Sequence, residues 1–423
     1  MTVGICTLGC KVNLYESMYL TSRLREEGFE IRDFSEVCDV YIINTCTVTN
    51  NSDAKSRKMI HSAKAKNPKA CLVVCGCFVE SANRDKNSNF DFSICNVVVG
   101  NRNKDKIPMY IKEFFKTGKN IVDLEDVREA SFTDMFINEA SGKTRAFVKI
   151  QDGCENFCSY CIIPFVRGKC RSKAKDKVIF EITELVRRGY KEIVLTGIHT
   201  GNYGSDIGTN FASLLKEILT IPNLERVRIS SIEITELDEE FFELLKNPKI
   251  CNHLHIPLQS GSDKVLKLMN RKYDTKMFLN KIKRIRAIRP DISLTTDVIV
   301  GFPMEEDDDF LDCLKFIRKV NFSKVHVFPY SMRNGTKAAG MRQVDGKIKK
   351  ERVQELLELS EDLERSYYES FIGKTEKVLI EKVEEGIAYG HTSNYLYLKL
   401  VGDYKENEIY EIKISKKNFS LFC

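Results

Sequence analysis

The chain has 423 residues, 43% hydrophobic and 30% charged, with net charge +6, 15 cysteines and no tryptophan. That length suits about three domains, and the modest basic excess allows an acidic partner without requiring one. No apolar run reaches the ~18 residues of a membrane span and the start lacks the pattern of a secretory signal; in a chain read as cytoplasmic, so many cysteines favour metal binding or buried thiols over disulfides.

Over residues 1–118, β-rich runs at 3–7, 39–44, 71–75 and 96–100 alternate with helical patterns at 13–27 and 52–66. This order predicts a small parallel α/β domain, its sheet covered by helices. Cys10, Cys46 and Cys77 each come just after a predicted strand, two of them preceded by glycine. Thiols at the carboxyl edge of adjacent parallel strands meet where such sheets bind ligands. Burial in a core is a common fate for a single cysteine; three at equivalent strand ends point to a metal cluster. Cys75 stands beside Cys77, and spacing alone does not choose between them. Residues 120–142 are polar and read as a linker.

The alternation resumes over 140–370, with strands expected at 146–150, 192–196, 226–230, 253–257, 293–300 and 324–328 and helices at 180–188, 212–219 and 275–288. Six strands are too few for an eightfold barrel, so a partial barrel follows, with functional groups at the carboxyl ends of its strands. After the first strand comes Cys154-Glu-Asn-Phe-Cys158-Ser-Tyr-Cys161. Three thiols spaced CxxxCxxC can ligate three irons of a 4Fe-4S cube and leave the fourth open for chemistry. A structural zinc is the alternative; it needs four closed ligands, and Cys170 is the only other thiol nearby. Polar residues and glycines stand at the later strand ends, in Thr196-Gly197, Ser230-Ser231-Ile-Glu233, Gln259-Ser-Gly261 and Asp297 to Pro303. Turn glycines and helix caps use the same letters.

Residues 347–371 form a long charged helical pattern, followed by four short strand patterns over 371–423. These predict a small all-β barrel of oligonucleotide-binding shape, separable from the rest. It carries 8 basic and 8 acidic residues, so RNA binding there rests on Tyr389, Tyr395, Tyr397 and Phe419 as stacking groups rather than on charge. Gly373-Lys374-Thr375 lacks the first glycine of a phosphate-binding loop. Basic residues crowd 55–69, 167–177 and 271–289, and the run beside the cysteine loop suggests phosphate contacts.

The segment 149–171 resembles the radical S-adenosylmethionine superfamily. Thr7-Leu-Gly-Cys-Lys-Val-Asn13, Asn44-Thr-Cys-Thr and Gly76-Cys-Phe resemble the auxiliary-cluster motifs of its methylthiotransferases, and Gly76 favours Cys77 over Cys75. The chain is further similar to the members that act on threonylcarbamoyladenosine in tRNA; those acting on isopentenyladenosine are the runner-up. From another class, a non-catalytic zinc protein that binds RNA is the alternative.

The resemblance implies a radical-SAM barrel in the centre, a TRAM-like barrel at the end, and two 4Fe-4S clusters. Cys154, Cys158 and Cys161 would hold the cluster that binds and reductively cleaves S-adenosylmethionine. Cys10, Cys46 and Cys77 would hold the one that carries sulfur for transfer to carbon 2 of the adenosine at position 37. Tyr160, Thr196, Ser231, Glu233 and Gln259 are the implied contacts of S-adenosylmethionine; no catalytic residue is expected beyond the cluster ligands. An electron donor such as flavodoxin or ferredoxin, a sulfur source and tRNA are the implied partners. Cys6, Cys38, Cys71, Cys95, Cys170, Cys251, Cys313 and Cys423 match no ligand position, and Met304 stands where relatives commonly have glycine.

Overall fold

A computed structural model describes residues 1–85, 90–137 and 144–419, so Cys423 lies outside the described residues. The chain forms two compact units that are not contiguous in sequence. The first comprises Met1–Ser141, Lys149–Lys173 and Ser331–Gly340; the second comprises Gly142–Val148, Ala174–Tyr330 and Met341–Cys423. The cysteine loop at 154–161 therefore belongs to the unit that also contains the first cysteine set. Among the described residues no helix is long and apolar enough to cross a membrane.

The first unit runs β1 (Thr2–Thr7), α1 (Lys11–Glu26), β2 (Glu30–Arg32), β3 (Val40–Thr45), α2 (Asn50–Lys66), β4 (Cys71–Gly76), α3 (Cys77–Arg84), β5 (Val97–Val99), α4 (Ile107–Thr117) and β6 (Ile121–Asp123). All six strands pair in parallel, in the order β2-β1-β3-β4-β5-β6. Both faces are covered, so the central strands read as unbroken apolar runs. Val40, Ile42, Val73 and Cys75 pack with Leu20, Leu24, Ile107 and Ile111. The alternate residues Tyr41, Ile43, Leu72 and Val74 pack with Ile60, Ala63 and Phe78. The expected linker differs: 121–123 adds a sixth strand, which its three residues were too few to signal.

Beyond these lie β7 (Arg145–Lys149), then β8 (Gln151–Asp152), α5 (Ile163–Arg167) and β9 (Arg171–Ser172). β8 and β9 pair antiparallel and close the base of the cysteine loop.

The second unit continues with α6 (Lys175–Arg187), β10 (Glu192–Thr196), α7 (Phe211–Ile218), β11 (Arg226–Ile229), α8 (Glu239–Leu244), β12 (His253–His255), α9 (Asp263–Leu268), α10 (Thr275–Ile288), β13 (Ser293–Val300), α11 (Asp307–Val320) and β14 (Lys324–Pro329). β11-β10-β7 and β12-β13-β14 form two three-stranded sheets. A parallel bridge from Val227 to Ile250 joins them, giving the partial barrel of six strands. α11 shows why such helices form where they do. Glu306 and Asp309 close a capping box, three aspartates occupy the first turn, Arg318 and Lys319 the last, and Asn321 ends it in the left-handed region. Met304 has φ +67°, a left-handed backbone that glycine adopts most readily.

α12 (Gly346–Glu369) leads into β15 (Thr375–Glu384), β16 (Ile387–Thr392), β17 (Tyr397–Val401) and β18 (Ile409–Lys413). They form an antiparallel sheet in the order β17-β16-β15-β18. An isolated bridge pairs Leu398 of β17 with Phe419, beyond the end of β18. Tyr368 and Phe371 belong to the core of this sheet, with Val378, Ile380, Leu396 and Leu398. The expected boundary at 371 thus cuts through a hydrophobic core.

The expectation of a separable terminal barrel is corrected by a second contact. Arg226 donates to the His391 carbonyl, and Arg228 to those of Thr392 and Ser393. The Tyr395 ring stacks on His253 at 4.7 Å, with the Arg228 guanidinium 4.6 Å from its centroid. Tyr395 and Phe419, the latter packed on Tyr368, are structural contacts rather than open stacking surfaces. Tyr389 and Tyr397 stack on each other on the sheet.

Glu192 is fully buried beneath this junction and pairs with Arg226 at 2.9 Å, Arg228 at 2.7 Å and Arg145 at 4.0 Å. Burial alone would raise its carboxyl, but Arg228, Arg226 and Arg145 outweigh that and hold it at about 2. An unfolded glutamate titrates near 4.3. The charge therefore stabilises the fold above that value, and its contribution is lost as pH falls toward 2. The expected loss across this window is about 3 kcal/mol, read as a falling melting temperature. Glu192→Gln should abolish that dependence and destabilise at neutral pH by about 3–5 kcal/mol, because three arginines lose their buried partner. Deleting residues from 371 onward is expected to lower the melting temperature of the remainder rather than leave it intact, checked by calorimetry.

Candidate functional site

The first three thiols are gathered by strand register. Thr7 pairs with Asn44 and Thr45 with Gly76, so the chain leaves β1, β3 and β4 at one level. β1 is flanked by β2 on one side and β3 on the other, which makes the gap beyond β1 and β3 the switch point where such sheets bind ligands. Cys10 caps the amino end of α1, Cys46 follows β3, and Cys77 is the first residue of α3. Helix amino ends favour a thiolate. Gly9 is required by close approach: its φ is +94°, and a Cβ there would lie 2.7 Å from Cys46 Sγ. Burial pushes the Cys46 thiol up to about 11, with Cys77 adding to the effect, so a metal bound there must displace the proton. Cys75 points the other way, into the α1 and α4 core, where burial drives its thiol to about 12. Gly76, at φ +103°, ends β4 and turns the chain into α3, so Cys77 leaves the face that Cys75 keeps on the strand.

Beneath these thiols lies a buried polar layer. Asn13 donates to the carbonyls of Leu8 and Thr45 at 2.7 and 2.9 Å, locking the first two cysteine turns together. Asn44 donates to the Asn13 carbonyl and accepts from Lys104 at 3.0 Å. Glu16 accepts from Lys104 at 2.5 Å, Lys149 at 2.9 Å and Arg167 at 3.1 Å. Asp152 accepts from Lys149 at 2.7 Å and Arg167 at 2.9 Å. Burial opposes both carboxylates, yet the cations hold both well below the usual range.

The phosphate-contact expectation for 167–177 is corrected for three of its six basic residues, while Lys169 and Lys177 are exposed. Arg167, Arg171 and Lys173 are buried, because their partners are internal: carboxylates, the Arg167 carbonyl and the Met135 carbonyl. Three arginines of the 271–289 stretch are likewise engaged, while Lys272, Lys276 and Lys283 are exposed. Arg271 pairs with Glu233, Arg284 with Glu239, and Arg289 donates to three carbonyls. Lys55, Arg57 and Lys58 on α2 remain exposed.

The second thiol set lies on the loop between β8 and β9. Gly153, at φ +76°, fits only because it lacks a Cβ; one would sit 1.8 Å from the Lys169 carbonyl oxygen. The Cys154 N–H donates to Gly168, and the Cys161 N–H to Cys158. Phe157 adopts φ +44° and is 53% exposed. Cys154, Cys158 and Cys161 are all partly exposed, while Cys170 accepts from Gln151 at 3.2 Å and is buried. After the loop, Ile162 and Val166 pack against Cys77.

Three free thiols in each set suit the donor chemistry of an iron-sulfur cube. A cubane offers each thiolate a separate iron, so its ligands need only be neighbours. Lys104, Lys149, Arg167 and Arg171 also outnumber Glu16 and Asp152, leaving buried positive charge beside groups that become anionic on binding metal.

Arg333 was not distinguishable by sequence. It donates to the Thr47 carbonyl at 2.9 Å and to Asp53 at 2.7 Å, while Ala338 donates to the Ser159 carbonyl at 2.7 Å. The 331–340 segment thus braces the turns after Cys46 and around Cys158. Glu16, Lys104 and Lys149 were missed as well. Their one signal was a charged residue inside an otherwise helical or strand-like motif.

In the second unit, Thr196 ends β10 fully buried, its hydroxyl 3.0 Å from Ser230 Oγ. Ser231 is half-buried beyond β11. Glu233 caps the following turn and pairs with Arg271. Gln259 adopts φ +65° and bridges to Val298. Tyr160, in the first unit, is half-buried. His255 joins this set from the end of β12, 3.2 Å from Asp297.

Residues 2–100 match the model of Uncharacterized protein family UPF0004, and residues 148–317 that of the Radical SAM superfamily. The threonylcarbamoyladenosine tRNA methylthiotransferase MtaB of Bacillus subtilis is 41% identical, over 99% of this chain and 94% of its own. That of Aquifex aeolicus is 37% identical, over 96% and 98%. A tRNA-2-methylthio-N(6)-dimethylallyladenosine synthase of Acetivibrio thermocellus is 37% identical, over 90% and 80%. Among solved structures, the radical S-adenosylmethionine methyltransferase TsrM of Kitasatospora setae has a TM-score of 0.56 at 13% identity, covering 80% of this chain and 76% of that one. OxsB, a cobalamin-dependent S-adenosylmethionine radical enzyme, has a TM-score of 0.51 at 13% identity, covering 86% and 56%. These two likenesses are of fold alone. With relatives this similar over nearly its whole length, the chain belongs to the tRNA methylthiotransferase family of the radical S-adenosylmethionine superfamily.

Proposed function

We propose that this protein adds a methylthio group to carbon 2 of threonylcarbamoyladenosine at position 37 of tRNA, next to the anticodon. The observation that carries the reading is the gathering of two cysteine triads, one CxxxCxxC, in one compact unit. The 41% identity to a relative named for that nucleoside supports the substrate.

Cys154, Cys158 and Cys161 are the ligands of one 4Fe-4S cluster, and Cys10, Cys46 and Cys77 of the other. When bound, the clusters and S-adenosylmethionine supply the reductive cleavage, the radical and the transferred sulfur. The chain's own part is positional. Gly153 and the β8–β9 pair shape the first ligand loop, and Asn13 fixes the turns that carry Cys10 and Cys46. Tyr160, Ser231 and Gln259 are the proposed direct contacts of S-adenosylmethionine. Thr196 and Glu233 contribute from side chains already held by Ser230 and Arg271. Lys55, Arg57 and Lys58 on exposed α2 meet tRNA phosphates, and the TRAM-like terminal sheet adds Tyr389 and Tyr397. A flavodoxin- or ferredoxin-type donor provides electrons, a separate source provides sulfur, and the cytoplasm is the setting.

Mass spectrometry of tRNA nucleosides from a strain lacking the gene tests the substrate. Loss of the methylthiolated threonylcarbamoyladenosine is expected. Loss of methylthiolated isopentenyladenosine instead would transfer the protein to the other branch, whose 37% identical relative makes that comparison necessary.

Reconstituted protein is expected to hold about eight irons, as two cubes require. Changing Cys154, Cys158 and Cys161 to Ala should halve that content and abolish cleavage of S-adenosylmethionine. Changing Cys10, Cys46 and Cys77 to Ala should also halve it, leave 5′-deoxyadenosine formation and end methylthio transfer. Cys75→Ala should keep both activities and all the iron, since its thiol lies in the core. Colourless, zinc-loaded protein from anaerobic, iron-replete cells would refute the radical mechanism.

A further inference from the structure

Arg167 closes α5, the short helix that follows the CxxxCxxC loop, yet it touches a thiol of the other set. Its guanidinium has no exposed surface. Nε donates to Cys77 Sγ at 3.3 Å. Nη1 donates to Glu16 Oε1 at 3.1 Å and Asp152 Oδ1 at 2.9 Å; Nη2 donates to Asn13 Oδ1 at 2.6 Å and Glu16 Oε2 at 3.4 Å. These partners fix the plane of the fork, so Nε–H stays aimed at the sulfur. Asn101 is a weaker, neutral donor to the same sulfur at 3.5 Å, held by the Val166 carbonyl at 2.8 Å.

Isolating a guanidinium from water is costly, and Glu16 and Asp152 offset that cost. The arrangement therefore maintains a dry, cationic hydrogen bond on one particular thiol. The reduction potential of an iron-sulfur cluster follows its net charge, the hydrogen bonds to its sulfurs and its exposure to solvent. A cationic donor on a ligand sulfur withdraws charge from the metal and favours the state with one more electron.

We propose that Arg167 raises the reduction potential of the cluster held by Cys10, Cys46 and Cys77, through its hydrogen bond to Cys77 Sγ. This rests on the ligand assignment proposed above. Because Arg167 stands on the helix next to the first cysteine loop, the segment that carries one cluster tunes the other. Arg167 is a positioning and tuning residue and does not touch substrate.

The test uses full-length protein with Cys154, Cys158 and Cys161 changed to Ala, so that only the site of Cys10, Cys46 and Cys77 binds iron. It is reconstituted anaerobically and titrated with dithionite while electron paramagnetic resonance follows the reduced cluster. Adding Arg167→Lys keeps a cation near Glu16 and Asp152 but removes the N–H from the sulfur. The expected midpoint is lower by about 59 mV, a tenfold change in a one-electron equilibrium, with about four irons retained. An unchanged midpoint with the iron retained overturns the proposal and leaves Arg167 a structural tie.

If Arg167→Lys does not fold, the double variant Arg167→Gln with Glu16→Gln removes the cation together with a carboxylate. There too a lower midpoint supports the proposal and an unchanged one overturns it. A folded variant without iron also overturns it, assigning Arg167 to cluster assembly. A triple-Ala parent that holds no iron overturns the ligand assignment instead, which shows before Arg167 is altered.

Discussion

Glu16 accepts hydrogen bonds from Lys104, Lys149 and Arg167 while almost wholly withdrawn from solvent. The three donors come from the approach to α4, the end of β7 and the end of α5, segments far apart in sequence. Stripping this much charge of water is worthwhile only if every partner is present, because one missing member leaves a buried ion uncompensated at a cost of about 3–5 kcal/mol. The network is therefore close to all-or-none. It ties 149–173, including the CxxxCxxC loop, to the α/β sheet that carries the other thiols. It acts together with the packing of Ile162 and Val166 on Cys77.

The same layer determines how each triad is presented. Strand register sets the level of the first three thiols, helix amino ends and close-packed glycine set their direction, and Asn13 and Asn44 satisfy the backbone that these sharp turns leave open. Arg333 works likewise from the 331–340 segment, bonding the chain beyond Cys46. Polar side chains are spent on turn backbone because turns without ladder partners need other acceptors and donors. The result is a ligand frame that is rigid where thiols must be neighbours.

The second unit contains its own buried network, with a different consequence. Glu192, Arg226, Arg228 and Arg145 fill the amino ends of the barrel strands, and the arginines reach onward to the carbonyls and Tyr395 of the terminal sheet. The terminal sheet thus supplies partners to the buried arginines at the amino ends of these strands. An aromatic that looks available for stacking in a list of strands is consumed here by an arginine and a histidine.

The sequence by itself determined the order of elements, the six barrel strands, the two cysteine sets and the family. Each is written in local spacing: period two for covered strands, 3.6 for helices, and CxxxCxxC for a ligand loop. Short elements such as β6 escaped because three residues carry no periodicity. Arg167, Arg171 and Lys173 misled, since a charge is read as solvated until its partner is known, and Glu16 and the Met135 carbonyl lie far away along the chain. The contact of Arg167 with Cys77, the brace from Arg333 and the seat of Tyr395 were decided only by tertiary structure. Each depends on which distant group fills the low-dielectric space next to a residue, and that neighbour is set by packing, which local spacing does not encode.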